Sequence, residues 1–221
     1  TRYADPAETA GAVISAAETA GIGLTLLPVF YAHADFGGAP PVPGQRRFIS
    51  DMDGFARLIE ASRAKLPADA VLGVAPHSLR AVTPEELAGI LSLAGSGPVH
   101  IHAAEQVKEV EACVAWSGAR PVQWLLDNAG VDANWCLIHS THVDARETQR
   151  LAASGAVAGL CPVTEANLGD GIFPAEDYLA GSGRFGVGTD SNILIDAAAE
   201  LRALEYSQRL ALRRRAVLAE D

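Results

Sequence analysis

The sequence has 221 residues, 49% of them hydrophobic, which is enough for one large domain with a real core. Its formal net charge of −10 argues against nucleic-acid binding, which needs a basic face. No run of 18 apolar residues and no signal peptide appear, so the reading is a soluble cytoplasmic protein without a membrane partner.

In chain order, "DPAETAGAVISAAETAG" (5–21) opens on an Asp-Pro start signal and closes on Gly21, which predicts a helix. "IGLTLLPVF" (22–30) reads as a short buried strand, followed by a long Gly/Pro-rich loop at 33–48. "SDMDGFARLIEASRAKL" (50–66) starts on a Ser/Asp cap and is amphipathic. "AVLGVAPH" (70–77) is a strand, and "TPEELAGILSLAG" (83–95) a helix with Thr83 as cap and Pro84 at its first position. "PVHIHAAE" (98–105) is a strand, and two helical stretches follow it. "NWCLIHSTH" (134–142) is a strand, "DARETQRLAASG" (144–155) a helix and "AVAGLCP" (156–162) a strand. "TEANLGDGIFPAEDYLAGSG" (164–183) reads as a second long loop with a helical turn near 175–179. "RFGVGTD" (184–190) is the last strand, and mostly helix follows. Arg213, Arg214 and Arg215 read as the solvated face of that terminal helix.

Six strands thus alternate with helices and are apolar on both faces, the pattern of a parallel sheet covered by helices. No glycine fingerprint for a dinucleotide and no phosphate loop follows any strand. An α/β barrel of the TIM type is favoured over a doubly wound nucleotide binder, although such a barrel has eight strands. Cys113, Cys136 and Cys161 share no metal or redox spacing and read as buried, reduced thiols.

The six histidines are not scattered. His77, His102, His139 and His142 fall at or just past the C-terminal ends of predicted strands, His33 lies just beyond the first, and Asp190 ends the last. In a barrel those ends surround the active site. Imidazole and carboxylate from separate strands suit a zinc with an open position, which lowers the pKa of its water toward ~7. His100 and His102 share one side of their strand. For His100, one layer deeper, a hydrogen-bonded core histidine is preferred; for His102 the ligand reading is preferred, because Glu105 lies past the strand end and can bend over a metal held there. A Glu near the metal but not bound to it can carry a proton to a leaving group. Asp190 could simply cap the helix that follows. His77 and Arg80 lie above the fourth strand of a complete barrel, in a position suited to binding a carboxylate.

"HIHAAEQ", "CLIHSTH", "GLCPVTEANLGDGIFP" and "GVGTDSN", in this order and on these strands, resemble the amidohydrolase superfamily, and within it the formimidoylglutamate deiminases. "HSLRAVTPEEL" and "EANLGDGIFP" are the most specific stretches. The resemblance implies a zinc-dependent deimination of N-formimidoyl-L-glutamate to N-formyl-L-glutamate and ammonia in histidine degradation, with one divalent zinc ion. It implies His102 and Asp190 as metal ligands and Glu105 as proton shuttle. It has His139 stabilise the attacked centre, Asp190 take a proton from the attacking water, and His77 and Arg80 bind the glutamate part. It covers residues 1–221 as a partial (β/α)8 barrel. The family's first strand carries a His-x-His metal pair, and no strand precedes the helix at 5–21. The six strands therefore correspond to the third through eighth, and the sequence reads as a slice of a longer protein. A homodimer is left open. The competing readings are a superfamily deaminase acting on a nucleobase or guanidine compound, and an inactive, non-enzymatic fragment.

Overall fold

The computed structural model describes residues 3–219. The chain divides into two compact units, Thr1–Ile101 and His102–Asp221.

In the first unit, helix α1 (Glu8–Ala20) is entered through Asp5, whose carboxylate accepts the Ala7 N–H at 2.8 Å, and left through Gly21 in the left-handed conformation. The predicted strand at 22–30 is interrupted: it forms β1 (Thr25–Leu26) and β2 (Val29–Phe30). Between them lies Pro28, which has no N–H to give to a ladder. The strand at 70–77 is likewise split into β3 (Val71–Leu72) and β4 (Ala75–Pro76), each parallel to its partner. The one-way bonds persist throughout, since the amides of Val71, Gly73, Ala75 and His77 donate to the carbonyls of Leu24, Leu26, Pro28 and Phe30. Gly73 is required by close approach, because a Cβ there would lie 2.2 Å from the Pro98 carbonyl oxygen. Helices α2 (Met52–Arg63) and α3 (Pro84–Ala94) start on the predicted caps, Asp51 and Thr83. At Thr83 the reciprocal partner is Glu86, three residues on, which closes a capping box. Phe30 meets Phe55 of α2 edge to face in the core, both rings fully buried.

Four strands, β5 (Val99–Ala103), β6 (Trp135–His139), β7 (Val157–Leu160) and β8 (Arg184–Val187), form one sheet in the order β5-β6-β7-β8. β6 pairs with β7, and β7 with β8, in parallel. Between and after them run α4 (Val107–Ser117), α5 (Pro121–Asn128), α6 (Ala145–Ser154), α7 (Pro162–Leu168), α8 (Ala175–Ala180) and α9 (Ala197–Leu212). Parallel pairing with a helix after each strand is the TIM-type barrel pattern. Six strand regions of it lie in this chain.

Three expectations are corrected. First, the strands are not equally apolar on both faces. β5 alternates buried Val99, Ile101 and Ala103 with half-buried His100 and His102, and β6 alternates in the same way. Second, the segment from 164 is not all loop, because α7 starts at Pro162, with Pro in the one place a helix tolerates it freely. Its start is completed from a distance by Glu200, which accepts the Val163 N–H at 2.9 Å. Third, the arginine triplet is not on a helix face: α9 ends at Leu212, Arg213 is its left-handed cap, and Arg214 pairs with Glu176.

The core here centres on Tyr178, fully buried, whose hydroxyl donates to the carbonyls of Ala156 (3.0 Å) and Arg184 (3.1 Å). Cys113 and Cys161 are buried and Cys136 half-buried, all three as free thiols. Burial pushes the thiols of Cys113 and Cys136 up to about 11 and that of Cys161 to about 12. Among the described residues no helix is long and apolar enough to cross a membrane.

Candidate active site

Strand ends place the site, and unusual backbone shapes aim it. β6 finishes on His139, whose φ of 67° takes it out of the strand's alternation, and Ser140 follows at φ 50°. Ala104, just past β5, has φ 53°, and Asp190, past β8, has φ 42°. Left-handed backbone at non-glycine residues persists only where the surroundings over-determine it, and such residues cluster at functional sites. Ser140 N–H donates to the Ala103 carbonyl and His142 N–H to that of Ala104, both at 2.9 Å, so the two strand ends are bonded to each other.

The result is a cluster on His139, which is 1% exposed. Its ring stacks on that of His102, with centroids 5.6 Å apart and planes at 28°. On one edge Nε2 stands 3.8 Å from Oε1 of Glu105. On the other, Nδ1 lies 3.2 Å from Oε1 of Glu165, a residue of α7 that is 5% exposed. That oxygen also accepts the Cys161 N–H at 2.9 Å, so it is held as an acceptor, and the Nδ1 proton points to it. Nε2 is thereby the nitrogen left facing Glu105.

Burial alone would lower the His139 pKa. The hydrogen bond to Glu165 and the charges of Glu105, Glu165 and Asp190 outweigh it and hold the pKa above the ordinary imidazole value. Asp190 is therefore electrostatically part of the cluster. It does not cap the next helix: Asp196 does, accepting the N–H groups of Ala198 and Ala199. Thus His102 and Glu105, from the end of β5, stand beside His139 at the end of β6, and Asp190 acts on His139 through its charge. Glu165 joins them unannounced.

The remaining histidines are placed differently. His142 donates from Nε2 to the backbone carbonyl of Asp170 at 2.8 Å, which makes it a support for the loop after α7. His100 shares with His102 the half-buried phase of β5. In the first unit, His77 follows β4 and packs edge to face on Tyr31, while Arg80 sits half-buried in the turn beyond. His33 pairs with Glu86 at 2.9 Å.

The amidohydrolase family model matches residues 7–220. The chain belongs to the amidohydrolase family. It is 56% identical, over 99% of its length, to the formimidoylglutamate deiminase of Pseudomonas aeruginosa, of which it spans 49%. A crystal structure of an amidohydrolase from Brucella melitensis superposes with a TM-score of 0.97 at 62% identity, covering all of this chain and 50% of that one. An adenosine deaminase from Xanthomonas campestris, solved with bound zinc, shares the fold at a TM-score of 0.80 and 23% identity, over 95% of this chain and 47% of its own. The chain thus spans about half the length of these relatives.

Members of the amidohydrolase superfamily are metal-dependent. Among the described residues no three of His, Cys, Asp and Glu are grouped so as to hold a metal ion. His102 and Asp190 have the right donor chemistry for two positions of a site that takes three or four protein ligands, so the residues present fit part of a zinc site and not a whole one.

Proposed function

We propose that the protein carrying this chain is a cytoplasmic, zinc-dependent deiminase that hydrolyses N-formimidoyl-L-glutamate to N-formyl-L-glutamate and ammonia. The observation that carries this reading is the 56% identity to a formimidoylglutamate deiminase across 99% of the chain. The His139 cluster supports it, because it holds the groups that hydrolysis of a C=N bond needs. His102 and Asp190 would be two zinc ligands, completed by residues outside these 221. Zinc, when bound, supplies a Lewis acid that makes water nucleophilic near neutral pH.

The chain's own residues do the rest. Water adds its oxygen to the formimidoyl carbon while Asp190 or Glu105 removes a proton. Glu105 delivers that proton to the =NH nitrogen, the hydroxyl proton of the resulting tetrahedral adduct passes through the same carboxylate to that nitrogen, and the C–N bond breaks so that ammonia leaves. The carbon keeps the oxygen as a formyl C=O. His139, aimed by Glu165, stabilises the attacked centre as the tetrahedral adduct forms. His77 and Arg80 bind the glutamate carboxylates, for which a guanidinium fork is well shaped.

The test is ammonia release by the full-length protein, loaded with zinc, from N-formimidoyl-L-glutamate, adenosine, guanine and a simple guanidine acid. The reading expects turnover of the first alone. Turnover of a nucleobase or guanidine compound, with none of the formimidoyl substrate, overturns it.

A further inference from the structure

We infer that Glu109 is a positioning residue whose buried carboxylate fixes the turn that presents Glu105 to His139. The inference rests on the proton-carrying role proposed for Glu105 and adds a residue that nothing else assigns.

The turn between β5 and α4 has two backbone sides to satisfy. Its carbonyls are taken by the end of β6: Ala103 O accepts from Ser140 and Ala104 O from His142. Its two amides at Ala104 and Glu105 have no strand partner. Both go to Glu109, the Ala104 N–H to Oε1 at 3.1 Å and the Glu105 N–H to Oε2 at 3.0 Å. Backbone N–H groups out of water need such partners. Here one carboxylate serves two consecutive ones, each with a separate oxygen.

Glu109 is 6% exposed and lies in the first turn of α4, where Gln106 is the cap and the partial positive charge of the helix start favours an anion. A buried carboxylate is tolerated when its oxygens are bonded. Moving the turn would unbond both at once. The turn needs this grip, because Ala104 is fully buried and held at φ 53°, a conformation that L-residues avoid. The next residue is Glu105, 3.8 Å from His139 Nε2. A short chain of contacts therefore runs from the Glu109 carboxylate, through two peptide groups, to the proposed proton carrier.

Glu109→Gln in the full-length protein separates this from an ordinary helix cap. An amide presents an NH2 to one of the two N–H groups, so half the grip becomes a donor facing a donor. The expected result is a loss of about 10- to 100-fold in kcat with KM within about twofold and bound zinc unchanged, as for an acid–base group moved out of line. The deciding readout is the double variant. In a Glu105→Gln background, itself down by about 10²–10⁴-fold, Glu109→Gln should cost nothing further, because the residue it positions no longer works. If the two losses multiply while Glu105→Gln is crippled, Glu109 supports the fold generally and the inference fails alone. If Glu105→Gln keeps full turnover, the role of Glu105 falls and the inference with it. Should Glu109→Gln not fold, Glu109→Asp retains the charge and shortens the reach by one methylene, and the same non-additivity is required of it.

Discussion

The carboxylate of Glu165 and the imidazole of His139 face each other at 3.2 Å across 26 residues of sequence, and the same carboxylate oxygen accepts the Cys161 amide at 2.9 Å. The pair fixes which ring nitrogen meets Glu105. Glu165→Gln keeps the shape and removes the charge, so His139 loses the hydrogen-bonded carboxylate that holds its pKa up. Turnover by the full-length protein should fall by about 10- to 100-fold, the usual effect of losing a carboxylate behind a working histidine. The Cys161 N–H keeps an acceptor, so the unfolding midpoint should move little. Steady-state kinetics alongside a urea titration check both halves; unchanged kcat would remove Glu165 from the machinery.

On the proposed function, Arg80 binds the substrate carboxylates and takes no part in the chemistry. Arg80→Met should raise KM for N-formimidoyl-L-glutamate by about 10-fold or more, the scale of a charge-assisted hydrogen bond to a carboxylate, and leave kcat within a few-fold. A fall in kcat at constant KM would contradict the assignment.

Stability in the second unit leans on another buried carboxylate. Glu147, 2% exposed, accepts from Arg120 Nε at 2.7 Å, from Asp144 N–H at 2.9 Å and from Gln123 N–H at 3.0 Å. Arg120→Met leaves the two amides but strips the cation, which should cost about 1.5–3 kcal/mol in the urea-derived unfolding free energy. A change under about 0.5 kcal/mol would show that the pair is a surface contact in effect.

The thiols give a signed pH dependence. In the folded chain they ionise only near 11 for Cys113 and Cys136 and near 12 for Cys161, against 9.0 in the reference state. Between those values the folded form holds more protons, so stability should fall as pH rises above about 9 and be indifferent to the thiols below it. Iodoacetamide at about pH 8 should leave Cys113 and Cys161 unmodified in the native protein and label them in urea, read by peptide mass spectrometry. Rapid native labelling would contradict their burial.

Much of this was legible in the sequence, and for a physical reason. Caps act within a few residues, so Asp51, Thr83 and the glycine stop at Gly21 could be read directly. Histidines at strand ends stood out because strands are otherwise apolar, and His102 and Glu105 do lie against His139. Long-range partners left no local trace. Glu165 sits in a stretch of Thr, Asn and Gly that reads as loop, and its helix is completed by Glu200 from 37 residues away. Glu109 looks like one more charge on an amphipathic helix. The left-handed shapes at Ala104, Ser140 and His139 were hidden too, since none of these residues prefers them; the surrounding bonds impose them.

The central claim is hydrolysis at one particular C–N bond by the His139 cluster, and isotope transfer from water tests it most directly. The full-length protein is given N-formimidoyl-L-glutamate in water enriched in oxygen-18, and the products are weighed by mass spectrometry. The account predicts N-formyl-L-glutamate carrying one solvent oxygen, with one ammonia released per formyl group, and loss of both in Glu105→Gln. Glutamate with formamide, an unlabelled formyl group, or undiminished labelling in Glu105→Gln would contradict it.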